Sequence, residues 1–163
     1  MKLSEVIKTA IEPAFSLLPE RMRSKEASVM LLAIGLQESR FVHTYQLVQG
    51  KPGAKGPARG WWQFERMGGV HGVLTHAASK DHALAVCRAR GVEPNARDVW
   101  EKLEHDQILA AAFARLLLWT DPRSLPRLGD EQGAWDLYMR VWRPGKPHLR
   151  TWTVCYADAL KEV

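Results

Sequence analysis

The sequence predicts a mainly α-helical single domain with a small irregular or β-like lobe near residues 43 to 65. Three observations lead there. Apolar residues recur at helical spacing through most of the chain, most clearly at Ile108, Leu109, Ala112, Phe113, Leu116 and Leu117. One segment, 43 to 60, holds Gly50, Pro52, Gly53, Gly56, Pro57 and Gly60 and carries no helical pattern. The 163 residues contain no internal repeat, no low-complexity stretch and no linker that would set off a second domain. Residues 1–163 therefore read as one domain, long enough to bury a core.

Taken in order, the elements follow from periodicity and punctuation. Leu3, Val6, Ile7, Ala10, Ile11, Ala14 and Leu18 form a helical stripe, which Pro13 should end or kink. Pro19 marks a turn. Ser24 is placed to cap the next helix, with Glu26 favourable in its first turn. Gly35 inside that helix costs stability, and reads either as close approach of another backbone or as a tolerated defect. Short strands are expected around Tyr45–Val48. In Trp61-Trp62-Gln63-Phe64 an extended backbone would place Trp61 and Gln63 on one side and Trp62 and Phe64 on the other. Gly68, Gly69 and Gly72 should break the chain again. Further helices are expected over 79–90, capped by Gly91, and from an Asn95 cap to Leu103. Others follow over 106–119, 131–142 and about 148–160, with stops at Asp121-Pro122 and Arg143-Pro144-Gly145.

Composition bounds the function. Hydrophobic residues make up 46%, as in a folded globular chain. A net charge of +5 favours polyanionic partners, among them nucleic acid, anionic lipid and bacterial wall polymer. The basic residues are spread along the chain, and no helix-turn-helix or aromatic-basic strand motif gathers them, so no nucleic-acid partner is expected. No apolar run reaches transmembrane length. Met1-Lys-Leu-Ser-Glu-Val-Ile-Lys8 lacks the continuous apolar stretch of a signal peptide, so synthesis in the cytoplasm is expected. Cys87 and Cys155 lie in apolar helical contexts and read as buried free thiols. The six histidines show no His-Glu-x-x-His spacing, and no metal or other cofactor is expected. No Gly-x-Ser-x-Gly elbow supports a nucleophilic triad, and the Gly- and Lys-containing loop lacks the ending of a phosphate-binding P-loop.

The stretch with chemical content is Ala27 to Phe41. It is apolar on every side from Val29 to Leu36, as a helix inside a core must be. It then delivers Gln37, Glu38, Ser39 and Arg40 with no intervening loop. Glu38 shares a face with Ile34 and Met30. Desolvation there disfavours the charged carboxylate and raises its pKa, which suits a general acid near neutral pH. A solvated helix-end residue paired with Arg40 is the alternative.

Gln37-Glu38-Ser39-Arg40-Phe41 resembles the catalytic Glu-Ser motif of the soluble lytic transglycosylases, in the lysozyme-like superfamily. Gly60-Trp61-Trp62-Gln63 stands where that family has Gly-Leu-Met-Gln. Ala134-Trp135-Asp136-Leu137-Tyr138 looks like its Ala-Tyr-Asn-Ala-Gly segment, with Met139 in place of the Asn. The order fits from residue 27 to about 160. The resemblance implies a lysozyme-like fold and a monomeric enzyme that cuts peptidoglycan glycan strands at the MurNAc–GlcNAc bond. Glu38 would be acid and then base, activating the substrate's own muramyl hydroxyl and leaving an anhydro-sugar. Ser39 and Gln63 would line the groove, and Tyr138 would hydrogen-bond to Glu38; Trp61 and Trp62, which replace the family's Leu and Met, read either as core with Phe64 or as stacking platforms for sugar rings. With no export signal in view, the resemblance points to a bacteriophage or prophage product. Such a protein reaches the wall or periplasm after release, or as a virion component. A two-carboxylate lysozyme using Glu38 and Glu65 is the alternative chemistry. A lysozyme-like module that binds wall or nucleic acid without catalysis is the alternative class.

Overall fold

The computed structural model of the protein describes all 163 residues. It is mainly helical with one small antiparallel sheet, as the patterning predicts. The chain opens with α1 (Leu3–Val6), continues without a break through a π-helical segment (Ile7–Ile11), and runs into α2 (Glu12–Phe15). Pro13 does not end the helix. The i→i+5 bond from the Glu12 N–H to the Ile7 carbonyl widens the turn just before it. That widening relieves the clash a proline ring makes with the carbonyl four residues back.

Helix α3 (Lys25–Ser39) is capped by Ser24, whose Oγ accepts from the Ala27 N–H at 3.0 Å. Every residue from Ala27 to Gly35 is buried. The sheet lobe follows, with β1 (Tyr45–Leu47), β2 (Lys55–Arg59) and β3 (Phe64–Glu65) in spatial order β1-β2-β3. Tyr45 pairs with Arg59, and Ala58 with Glu65. Strands β1 and β2 make segment 43–60 a hairpin: the short strand expected near Tyr45–Val48 is present, and the stretch around Gly56 and Pro57 that suggested loop is its partner.

A further departure follows β3. Residues 66–75 are a π-type segment (Arg66–Val70) leading into α4 (His71–Thr75), not a break. Only Gly68 leaves helical dihedrals, and Gly69 sits against the Phe64 ring, where an added Cβ would lie 2.5 Å from a ring carbon. Close packing, not chain flexibility, is what the glycine serves. Then come α5 (Lys80–Arg90), α6 (Ala96–Leu103), α7 (Gln107–Trp119), α8 (Glu131–Trp142) and α9 (Leu149–Glu162). Asn95, Asp106 and Asp130 each accept a backbone N–H at the N-terminus that follows them. Gly91 closes α5 at φ +65°.

One cluster of 40 buried residues spans Val6 to Ala159, so a single core joins both ends of the chain. Helix α3 runs through it and packs most extensively on α9. Burial of both cysteines matches their apolar contexts. No helix is long and apolar enough to cross a membrane.

Candidate active site

The site is built at the C-terminal end of α3. Arg40 and Phe41 both take left-handed dihedrals, φ 54° and 58°. Two such residues in succession fold the chain back, so that the Phe41 ring lies over Gly35. A Cβ on Gly35 would come within 2.2 Å of ring carbons. The close approach expected at Gly35 is real, but the neighbour is a side-chain ring and not a backbone.

Ser39 holds this reversal. Its hydroxyl donates to the Trp61 carbonyl at 2.7 Å and accepts from the Phe41 N–H at 3.1 Å. It is buried, so it ties the helix end to the sheet lobe and does not line a groove. Residues 60–63 form a tight turn, with Gly60 at φ 77°, Gln63 at φ 52° and a Gln63 N–H to Gly60 carbonyl bond of 3.0 Å. The alternation expected of an extended strand is therefore lost. Trp61 and Trp62 both turn inward and pack edge-on against Phe41, at 5.4 and 5.7 Å between centroids. Trp62 is wholly enclosed, and its Nε1 donates to the Leu31 carbonyl at 2.8 Å. Neither indole presents a free face to a sugar; both are wall, because the turn replaces extended backbone.

Glu38, one position before Ser39, is half-buried. Its Oε1 accepts from the Tyr138 hydroxyl at 2.6 Å, the bond that the resemblance implied across 100 residues of sequence. Burial pushes the Glu38 carboxyl up from 4.5 to about 7, while the donated Tyr138 hydrogen bond pulls it the other way. The short distance is that of a charge-assisted O–H···O⁻ bond when Glu38 is ionised. Burial and the adjacent Glu38 charge both drive the Tyr138 pKa upward, so the phenol remains a donor throughout. The other carboxyls that the fold perturbs move the opposite way. Hydrogen bonding by Asn95 and Arg97 lowers Asp98, and hydrogen bonding by Lys55 lowers Glu104.

Tyr138 is itself clamped. It stacks on Trp152 of α9 at 5.0 Å and 9°, with Trp135 at 5.7 Å on its own helix. Trp142, one turn further along α8, donates from Nε1 to the Trp62 carbonyl at 3.0 Å. Beside Glu38, Gln37 donates to the His148 carbonyl at 3.0 Å and accepts from Thr151 at 2.9 Å. Sequence reasoning missed this aromatic enclosure. Trp135, Tyr138 and Trp142 share a helical face by spacing, a signal that was available. Trp152 comes from a different helix and gave none.

Next to this cluster lies a cleft of about 560 Å³, whose lining includes Gln63, Glu65, Trp142, Asp121, Arg140 and Arg143. Gln63 and Glu65 reach it together, by way of the turn and not by alternation. Gln63 braces its own loop by donating to the Gly60 carbonyl at 2.9 Å. Glu65 is exposed on β3 opposite Ala58. Arg143 ends α8 at φ 49°. The four non-glycine residues with positive φ, Arg40, Phe41, Gln63 and Arg143, all fall at the end of α3 or along this cleft. Such dihedrals cost of order 1–3 kcal/mol each and persist where packing over-determines them.

The arrangement can hold a proton on Glu38 near neutral pH and also release it, with a fixed phenol to steady the charged form. Comparison of the chain with protein-family models, with curated proteins and with solved structures finds no match.

Proposed function

We propose that the protein is a peptidoglycan-cleaving enzyme of lysozyme-like form. It acts on the MurNAc–GlcNAc glycosidic bond as a lytic transglycosylase. The observation that carries the reading is the Glu38–Tyr138 pair: a carboxyl raised to about 7 by burial and held at 2.6 Å by a clamped phenol. Cleavage requires a proton on the leaving oxygen while positive charge builds at the anomeric carbon. Protonated Glu38 gives that proton. The resulting carboxylate, steadied by Tyr138, then takes a proton from the substrate's own muramyl hydroxyl. The C1–O bond to the second sugar breaks as Glu38 gives its proton, that sugar leaves as the alcohol, and the muramyl oxygen closes on the anomeric carbon with no water added. A pKa near the working pH serves both halves of this cycle. On this reading the glycan lies in the adjoining cleft, with Gln63 and Trp142 on its wall; Glu38 and Tyr138 stand beside that cleft and are not part of its lining. The protein acts on the wall after release, or as part of a virion.

A second reading has one observation in its favour: Glu65 opens onto the same cleft as Gln63. It would serve there as the second carboxylate of a hydrolase. Mass spectrometry of digested peptidoglycan separates the two. Anhydromuropeptides support transglycosylation. Products heavier by one water, with reducing ends, refute it in favour of hydrolysis. Failure to clear purified peptidoglycan refutes both.

A further inference from the structure

We propose a binding site for a phosphoryl group at the opposite end of α3 from Glu38, centred on Arg115. This site does not depend on the peptidoglycan reading. Arg115 lies in α7 and is only 3% exposed. Its Nε donates to the Met22 carbonyl at 2.8 Å, and none of the protein's ion pairs includes it. A buried guanidinium without a carboxylate is expensive, because desolvation is not offset by an opposite charge. Its remaining guanidinium nitrogens make no hydrogen bond to the protein, and the residue lines the adjoining cavity.

That cavity, about 640 Å³, is lined by Arg115 together with Arg21, Arg123 and Arg127. Trp119 forms one wall, with the Arg21 and Arg115 guanidinium carbons each 5.5 Å from its ring centroid. The cation–π geometry orients both forks. Two acids also line the cavity. Asp121 is already held by Arg140 at 3.2 Å, which leaves Glu26 against four arginines. Burial lowers the Arg115 pKa only to about 10, so it is charged at neutral pH. The N-terminus of the 15-residue α3 opens here, since Ser24 and Glu26 line the cavity, and adds partial positive charge.

The surplus fits a tetrahedral phosphoryl anion, singly or doubly charged. A carboxylate would use one fork and leave the other arginines uncompensated, whereas phosphoryl oxygens engage several forks together. The length of α3 puts the site about 20 Å from Glu38, so occupancy would anchor the protein without blocking the cleft.

The test titrates the full chain with inorganic phosphate at constant ionic strength and follows the arginine Nε–H resonances. A saturable shift of Arg115 is expected. Arg123→Gln with Arg127→Gln, both exposed and therefore safe for the fold, should weaken it at least ~10-fold, the loss typical of removing one charge-assisted contact. Arg88→Gln with Lys161→Gln removes the same charge elsewhere and should leave it unchanged. A linear shift that never saturates, or equal weakening by both pairs, overturns the site. Sedimentation with phosphatidylglycerol vesicles, and with phosphatidylcholine vesicles as control, identifies the source. Loss of phosphatidylglycerol binding in the Arg123/Arg127 variant assigns a lipid headgroup, and phosphate binding with no vesicle association assigns a free or polymer-borne phosphate.

Discussion

Replacing Glu38 by Gln should make the protein more stable and nearly inactive, with a stability gain that depends on pH. In the folded chain the carboxyl titrates at about 7, against 4.5 in the unfolded chain. Between those values the folded state binds the extra proton, so stability falls as pH rises from 4.5 to 7 and levels off above. The whole shift corresponds to about 3 kcal/mol. Glutamine has the same size, never ionises, and its carbonyl can still accept from Tyr138. Glu38→Gln should therefore match the wild type near pH 4 and exceed it by up to about 3 kcal/mol at pH 8. For a chain of this length that is a rise in melting temperature of roughly 6 to 12 °C. Thermal melts of both proteins by circular dichroism, from pH 4 to 9, provide the check. Peptidoglycan clearing at pH 7 should fall at least ~100-fold in the same variant, because no proton can be given. A melting difference that stays constant across the pH range would refute the buried, raised carboxyl. Unchanged clearing would remove Glu38 from the chemistry.

Three further outcomes follow. Tyr138→Phe leaves burial unopposed by the 2.6 Å bond. The high-pH limb of the rate profile should then move up by roughly 1 to 2 pH units, the worth of a charge-assisted hydrogen bond; an unmoved limb would mean that this bond does not set the acid. Glu65→Gln should reduce clearing only about 2- to 5-fold, far below the loss expected of a catalytic carboxylate, with anhydro products unchanged; a dead variant would favour the two-carboxylate route. Lys51 is exposed and makes no ion pair, whereas Lys55 is 2.6 Å from the half-buried Glu104. Lys51→Gln should weaken clearing at low salt only, while Lys55→Gln should cost about 1 kcal/mol in urea unfolding, and the reverse assignment would show that the charges of this lobe have been misread.

The helical frame was legible because its signals are local. Ser24, Asn95 and Asp106 cap from within one turn, and Gly91 ends α5 through its own dihedral. Glu38 was legible for a related reason: an all-apolar helix that ends in a carboxylate states its own environment. The lobe was harder. Alternation predicts sides only on extended backbone, and two positive φ angles at Gly60 and Gln63 removed that premise. Gly68 and Gly69 read as breakers because breaking is their intrinsic tendency, yet packing of Gly69 against Phe64 and Leu117 recruits them into a helical segment. Lys55 and Arg59 lie in the segment whose glycines and prolines suggest a loop, where their charges would be free. The structure ties both to Glu104 and lays them over Tyr45 and Trp100, because strand pairing fixes where a loop would not. Tyr138 was found through a motif resemblance, since no local rule links residues 38 and 138.

That separation in sequence has a consequence for the protein while it is being made. Helix α3, and Glu38 with it, leaves the ribosome before Tyr138 and its stacking partner Trp152 are made. Until α8 and α9 dock, the carboxyl is open to water and has the acidity of any glutamate. The proton-holding state belongs to the finished fold alone. Chains shortened before Trp152 should carry Glu38 and Ser39 and still lack the raised carboxyl, so docking of α8 and α9 is the step that sets its acidity.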